Sequence, residues 1–172
     1  MANVSPNHPL ALMMADLVHE QVGLHIGSVP TFAEEYLASL LLDFIRTDRL
    51  YSIRDSSGQP VTSVIEMVSE GDVRLRADSF EREREVHKHI GDFILFWTGI
   101  YPDHLRKFRL GVLDDVQCDY SRQGRESYHV VSTFDHPPYD RESALFETLS
   151  EGFEEFAFVL RQVGRRSGLY AA

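Results

Sequence analysis

Between Val86 and Tyr101 the large apolar residues return every three or four positions, at Val86, Ile90, Phe93, Ile94, Trp97, Ile100 and Tyr101. That spacing lines them along one side of an α-helix and does not fit the alternation of a half-buried strand. Leu95 and Phe96 make the opposite side apolar as well, so the second half of this helix has no polar face. Such a helix has to be enclosed by other elements. The apolar stretches of the chain fall short of the roughly 18 residues a membrane span requires, so other helices of the same chain must supply the enclosure. Asp78 or Ser79 can open the helix, and Pro102 must break or kink it.

The rest of the chain carries matching segments. Ser5-Pro6 reads as a cap followed by proline at the first helical position; Leu10, Met13, Met14, Leu17, Val18 and Val22 follow at helical spacing, with Gly23 as the stop. Thr31-Phe32-Ala33-Glu34 has the form of a capping box ahead of an apolar face of Phe32, Tyr36, Leu37, Leu40, Leu41, Phe44 and Ile45. Residues 50–65 admit two readings. In one, a turn-rich loop (Asp55 to Pro60) precedes a short helix capped by Ser63 and closed by Gly71. In the other, Leu50–Arg54 pairs with Val61–Ile65 as a hairpin. A further helix is expected from Asp114/Asp115, with Val116, Tyr120, Gly124, Ser127 or Tyr128, Val131 and Phe134 on one face. A last one, capped by Asp140, places Leu145, Leu149, Phe153, Phe156, Leu160 and Val163 inward. The expected fold is an all-α single domain over residues 1–172, an irregular bundle of about five long helices plus one short helix.

The segment Gly91-Asp92-Phe93-Ile94-Leu95-Phe96-Trp97-Thr98-Gly99-Ile100-Tyr101 and the later Tyr120-Ser121-Arg122-Gln123-Gly124-Arg125-Glu126-Ser127-Tyr128 resemble a group of uncharacterised bacterial all-helical proteins. That group has a G-D-x-x-L-F-x-x-G-[FIY]-[FY] helix end followed by a Y-x-x-x-G-+-x-[AS]-Y helix. The resemblance covers roughly residues 85–135 and implies a helical fold without implying an activity. Where the group has two adjacent tyrosines, this chain has Asp119-Tyr120.

Charge narrows the partners. The formal net charge is −10, and bases are interleaved with acids, as in Arg82-Glu83-Arg84-Glu85. Phosphate backbones repel such a surface, so nucleic acid is not an expected partner. The single cysteine, Cys118, cannot form an intramolecular disulfide, and no basic-flanked leader precedes Leu10; the expected setting is cytoplasmic, without membrane attachment.

Candidate chemistry is sparse. There is no G-x-S-x-G, P-loop, dinucleotide fingerprint or H-E-x-x-H, and so no expected cofactor. Glu126 and His129 form one E-x-x-H, whereas a di-iron bundle needs two and extra carboxylates. Glu85 with His89, and Glu83 with His87, share helix faces, within a run, Glu81–Lys88, that reads as a solvated salt-bridged face. Asp115, Cys118 and Asp119 fall together near a helix start, where the helix dipole accounts for the acids. Asp92 sits where its helix turns apolar; if buried, it needs a partner, Lys88 one turn back or a Lys, Arg or Tyr from another helix. Tyr120, Gly124 and Tyr128, at i, i+4 and i+8, could present two rings around a notch that takes the 93–101 helix. With Asp92, Trp97 and Tyr101 they are the candidate pocket or partner surface. The expected role is non-catalytic, through a protein partner or homodimer; the alternative is a metal- or small-ligand-binding helical enzyme or sensor using converging His and acidic residues.

Overall fold

The structure is a computed structural model that describes residues 5, 7–45, 47–105 and 119–168. Pro6, Asp114, Asp115, Val116 and Cys118 lie outside the described residues. The fold is all-α, with eight helices that lie wholly among the described residues: α1 (Pro9–His25), α2 (Thr31–Phe44), α3 (Thr47–Leu50), α4 (Val64–Gly71), α5 (Phe80–Ile100), α6 (Tyr120–Ser132), α7 (Asp140–Glu151) and α8 (Phe153–Ser167); residues 102–105 are helical as well. Helix α5 is central. It packs against α2, α4, α6 and α8, while α1 lies on α2 and α8, and α7 covers α6. The apolar side chains of these layers join in one core cluster.

Helix α5 is enclosed on all sides, as its composition demands: every residue from His89 to Trp97 is buried. Ser79 caps it by accepting from the Arg82 amide at 3.1 Å. The run Glu81–Lys88 is a solvated, salt-bridged face only in part: Glu81 and Glu85 are exposed and Arg82 pairs with Glu85 at 3.2 Å, while its other side is covered. Arg84 and His89 are each only 8% exposed, because α7 and the 50–54 segment close over this end. Arg84 is paired with Glu142, and its guanidinium stacks over the Tyr139 ring at 4.3 Å. Such stacking and pairing suit a planar guanidinium.

Three boundaries differ from the reading of the sequence, and one left open there is decided. Helix α1 starts at Pro9, whose N-cap is His8, and runs through Gly23 to end before Gly27, which has φ +98°. The capping box at Thr31 does not form. Thr31 is already helical behind Pro30, and Glu34 turns instead to His19 of α1 at 2.8 Å. Segment 50–65 follows the loop-and-helix reading; the hairpin of Leu50–Arg54 with Val61–Ile65 does not form, since Leu50 belongs to α3 and Val64 and Ile65 to α4. A single antiparallel bridge joins Arg54 to Pro60, closed by an Asx turn in which Asp55 accepts from the Ser57 and Gln59 amides, and α4 follows with Ser63 capping Glu66. The expected last helix is two helices. Gly152 interrupts it, and Tyr139, not Asp140, occupies the cap position. Interruption lets α7 lie on α6 while α8 lies on α1 and α5. It also makes Phe146, beside the expected Leu149, fully buried in α7, with Leu145 only partly covered.

Glycines set the close approaches. A Cβ on Gly91 would fall 2.5 Å from the Tyr128 ring. One on Gly124 would fall 2.3 Å from Phe153, and one on Gly99 2.6 Å from Leu160. Gly23 faces open space in the last turn of α1, with nothing within 4 Å. Gly23→Ala should therefore raise stability by about 1 kcal/mol through helix propensity alone. Gly124→Ala, against the immobile Phe153 ring, should lower it by about 1–3 kcal/mol. Urea unfolding of the two variants beside the parent chain tests both signs.

Candidate functional site

Two features stand out where α5 meets α2, α6 and α7: a buried polar knot and a surface groove. The knot centres on Asp92, 5% exposed. Its Oδ1 accepts from the Tyr36 hydroxyl of α2 at 2.6 Å and from the Tyr128 hydroxyl of α6 at 2.8 Å. Its Oδ2 accepts from Lys88 Nζ at 2.9 Å, and the ammonium also lies 5.2 Å above the Tyr36 ring. The expected local partner, Lys88, is thus joined by two tyrosines from other helices. Gly91 makes the arrangement possible: without a side chain there, the Tyr128 ring lies flush on α5 and its hydroxyl reaches the next residue. Burial first, and then the Asp92 charge, raise the phenol pKa values of Tyr36 and Tyr128 well above 10.0.

The other candidate residues divide. Trp97 and Tyr101 pack on one another at 5.5 Å near the end of α5, where Trp97 also stacks on His104 at 4.3 Å. Tyr120 is buried in the first turn of α6. The notch at Gly124 is filled by Phe153 of α8 and not by the 93–101 helix. Of the six, Asp92, Trp97, Tyr120, Gly124 and Tyr128 are buried and Tyr101 is partly so. Asp92 and Tyr128 are closed inside the core, and Gly124 is a packing position.

The metal candidates do not assemble. Glu126 and His129 are both exposed, and Glu126 lies 3.8 Å from Arg122. His89 is turned away from Glu85. Its Nε2 meets the Leu50 carbonyl at 3.0 Å, which can only accept, so this nitrogen carries the proton. Nδ1 is then left to accept from the Ser52 hydroxyl at 3.1 Å. Burial lowers the His89 pKa and keeps this neutral tautomer. His87 is likewise held neutral by burial, its Nδ1 3.2 Å from the Ser127 hydroxyl. Among the described residues no three His, Cys, Asp or Glu side chains converge as a metal site, and no described helix is long and apolar enough to cross a membrane.

The groove is a feature the sequence reading missed. It follows the seam between the start of α5 and the end of α6, with a volume of about 680 Å³, and is lined by Phe80, Val130, Phe134 and Tyr139 with Glu81, Glu83 and His136 at the rim. Phe80 is 66% exposed. A second pocket, about 380 Å³, adjoins it and shares Glu83 and Val130; Val68, Val73, Asp72 and His87 are among its other walls. Phe80 and Phe134 stand at helix ends more than fifty positions apart. The one local signal was an aromatic directly after the Ser79 cap, a position that no core face requires.

The knot makes two testable statements. Tyr128→Phe removes one donor to a charged acceptor and should cost about 1.5–3 kcal/mol. Tyr36→Phe should cost a similar amount, and the double variant should depart from additivity because both phenols share one oxygen; a double-mutant cycle by chemical denaturation measures this. The second concerns pH. In the unfolded chain the phenols release protons near 10.0, while the folded chain holds them. Above that pH the unfolded state binds fewer protons, so stability present below pH 10 should fall as pH rises further. Absorbance titration of the phenols should show two tyrosines ionising only with unfolding, and Asp92→Asn should move that transition. Compared with models of known families, with curated proteins and with solved structures, the chain matches none, so its function has to be argued from this geometry.

Proposed function

We propose that the protein is a non-catalytic binding protein that holds a partner protein in the groove between α5 and α6. The observation that carries this reading is the groove itself: an apolar lining that includes Phe80, left 66% exposed although the large apolar residues of α5 from Val86 to Trp97 are buried. Exposed Val73, on the segment leading into α5, extends the apolar surface into the adjoining pocket. Contiguous apolar exposure bordered by polar groups is the usual mark of an interaction surface. The floor is also rigid, since Tyr139 is clamped by the Arg84 guanidinium and Phe134 stacks edge-on against Tyr139 at 6.1 Å. A preformed site loses less conformational freedom when filled.

Net charge supports a protein over a nucleic acid, and the lone cysteine fits a reducing, cytoplasmic setting. The rival, a metal- or small-ligand-binding enzyme or sensor, has less support, because the His–acid pairs it would use point apart or are engaged with Ser52, Leu50 and Ser127.

A photoreactive residue at Thr133, on the groove, and a control at Ser39, on the outer side of α2, separate these readings in cells. The expected result is one identified protein adduct at Thr133 and not at Ser39, reconstituted with the purified partner and lost in Phe80→Ser. An adduct with a second copy of the chain makes the partner a homodimer. Equal labelling at both sites, or a small molecule retained in the groove by native mass spectrometry, overturns the reading.

A further inference from the structure

Glu83 stands where the two pockets of the α5–α6 seam join, in the walls of both. Among the described residues its carboxylate makes no hydrogen bond or ion pair, while its backbone N–H donates to the Ser79 carbonyl as part of the helix start. It is partly buried, which with the charge of Asp72 holds its carboxyl above the usual range. Arg74, whose charge offsets part of that rise, is hydrogen-bonded to Asp72 and not to Glu83: Nε and Nη2 donate to the two carboxylate oxygens at 3.1 and 2.8 Å. His87, the base one turn along α5, is neutral. Glu81, Asp72 and Glu126 add further negative charge around the same seam.

Resting on the binding role above, we propose that the occupant is a short basic segment of the partner protein, in which a Lys or Arg seats on Glu83 while apolar side chains on either side fill the two pockets. Each half of the argument restricts the ligand. An unpaired carboxylate between apolar walls calls for a cation, because a partner that covered it with apolar or acidic groups would desolvate a charge without compensation. The walls call for more than a cation. Phe80, Phe134 and Tyr139 on one side, and Val68 and Val73 on the other, would stay wet around a bare amine. A divalent ion is also unsuited, since among the described residues no group of three His, Cys, Asp or Glu side chains could hold one, and the neighbouring Asp72 is engaged by Arg74. A peptide with a basic residue flanked by aliphatic or aromatic ones satisfies both demands, and the long Lys or Arg stem itself covers apolar surface. The surrounding acids speed encounter with such a segment and reject acidic ones.

The test is selection of a random-peptide display library on the immobilised full chain, followed by calorimetric titration of the recovered peptides. The expected consensus is a Lys or Arg with apolar neighbours on both sides. Binding should weaken about tenfold or more in Glu83→Gln, as for loss of one charge-assisted contact, and Glu83→Lys should prefer the same peptide with Glu in place of its base. Glu83 lies on the surface of α5, and unfolding curves of both variants establish that they fold. Peptides that need Phe80 yet carry no base and ignore Glu83→Gln overturn this inference and leave the groove as a binding site. Failure to recover any peptide that Phe80→Ser weakens overturns both.

Discussion

One buried carboxylate ties the bundle together. Asp92 lies in the apolar half of α5, where an unpaired charge would cost several kcal/mol, and three donors from three helices meet it: Tyr36 of α2, Tyr128 of α6 and Lys88 of α5. Tyr36 and Tyr128 reach the same oxygen, so both α2 and α6 must hold their positions along α5 for the charge to be satisfied. Apolar packing alone tolerates sliding by a fraction of a turn; this node does not. The Tyr128 and Tyr36 rings also both pack on Phe146, at 5.6 and 5.5 Å, which draws α7 into the same register.

Glycine complements the carboxylate. Gly91, beside Asp92, admits the Tyr128 ring; Gly124, one turn before Tyr128, admits Phe153; Gly99, two turns beyond Gly91, admits Leu160 of α8. The residues that make the 91–101 and 120–128 segments distinctive are thus two sides of one interlock. A glycine on α5 and a tyrosine on α6 fit together, and the acid next to that glycine receives the hydroxyl. This gives the pattern a structural reason that requires no reaction. Each helix-interior glycine costs about 0.5–1 kcal/mol against alanine, and the close packing offsets that cost.

The all-α fold and the central place of α5 were legible because both follow from the spacing of large apolar residues, a signal repeated through most of the chain. Asp92 was legible as a buried acid for the same reason: its neighbours are Phe93, Ile94 and Leu95. Its partner Tyr36 was not, because on a helical wheel a tyrosine on an apolar face counts as core, and nothing local says where its hydroxyl goes. The capping box failed for a related reason. The spacing of Thr31 and Glu34 is local, but Glu34 had a competitor in His19, fifteen residues earlier and on another helix. Arg84 read as surface because its neighbours alternate in charge. It is buried because Tyr139 and Glu142 arrive from α7, beyond the reach of any i, i+4 rule.

The start of α5 then presents two sides with opposite fates. Arg84 turns inward and is neutralised by Glu142; Glu83, one position earlier, turns into the seam and is not. Acids in a first turn complement the helix dipole, which gives Glu81 and Glu83 a local benefit. That benefit does not require the carboxylate of Glu83 to be partly buried, beside the like charge of Asp72, with Phe80 held out over the groove. The dipole explains why an acid is tolerated there. It leaves unexplained why the acid sits between two apolar pockets whose walls the core does not use. A cationic side chain from outside would relieve the carboxylate and cover those walls in one event, and it is on this coincidence of charge and apolar shape, more than on either alone, that the proposed binding at the seam rests.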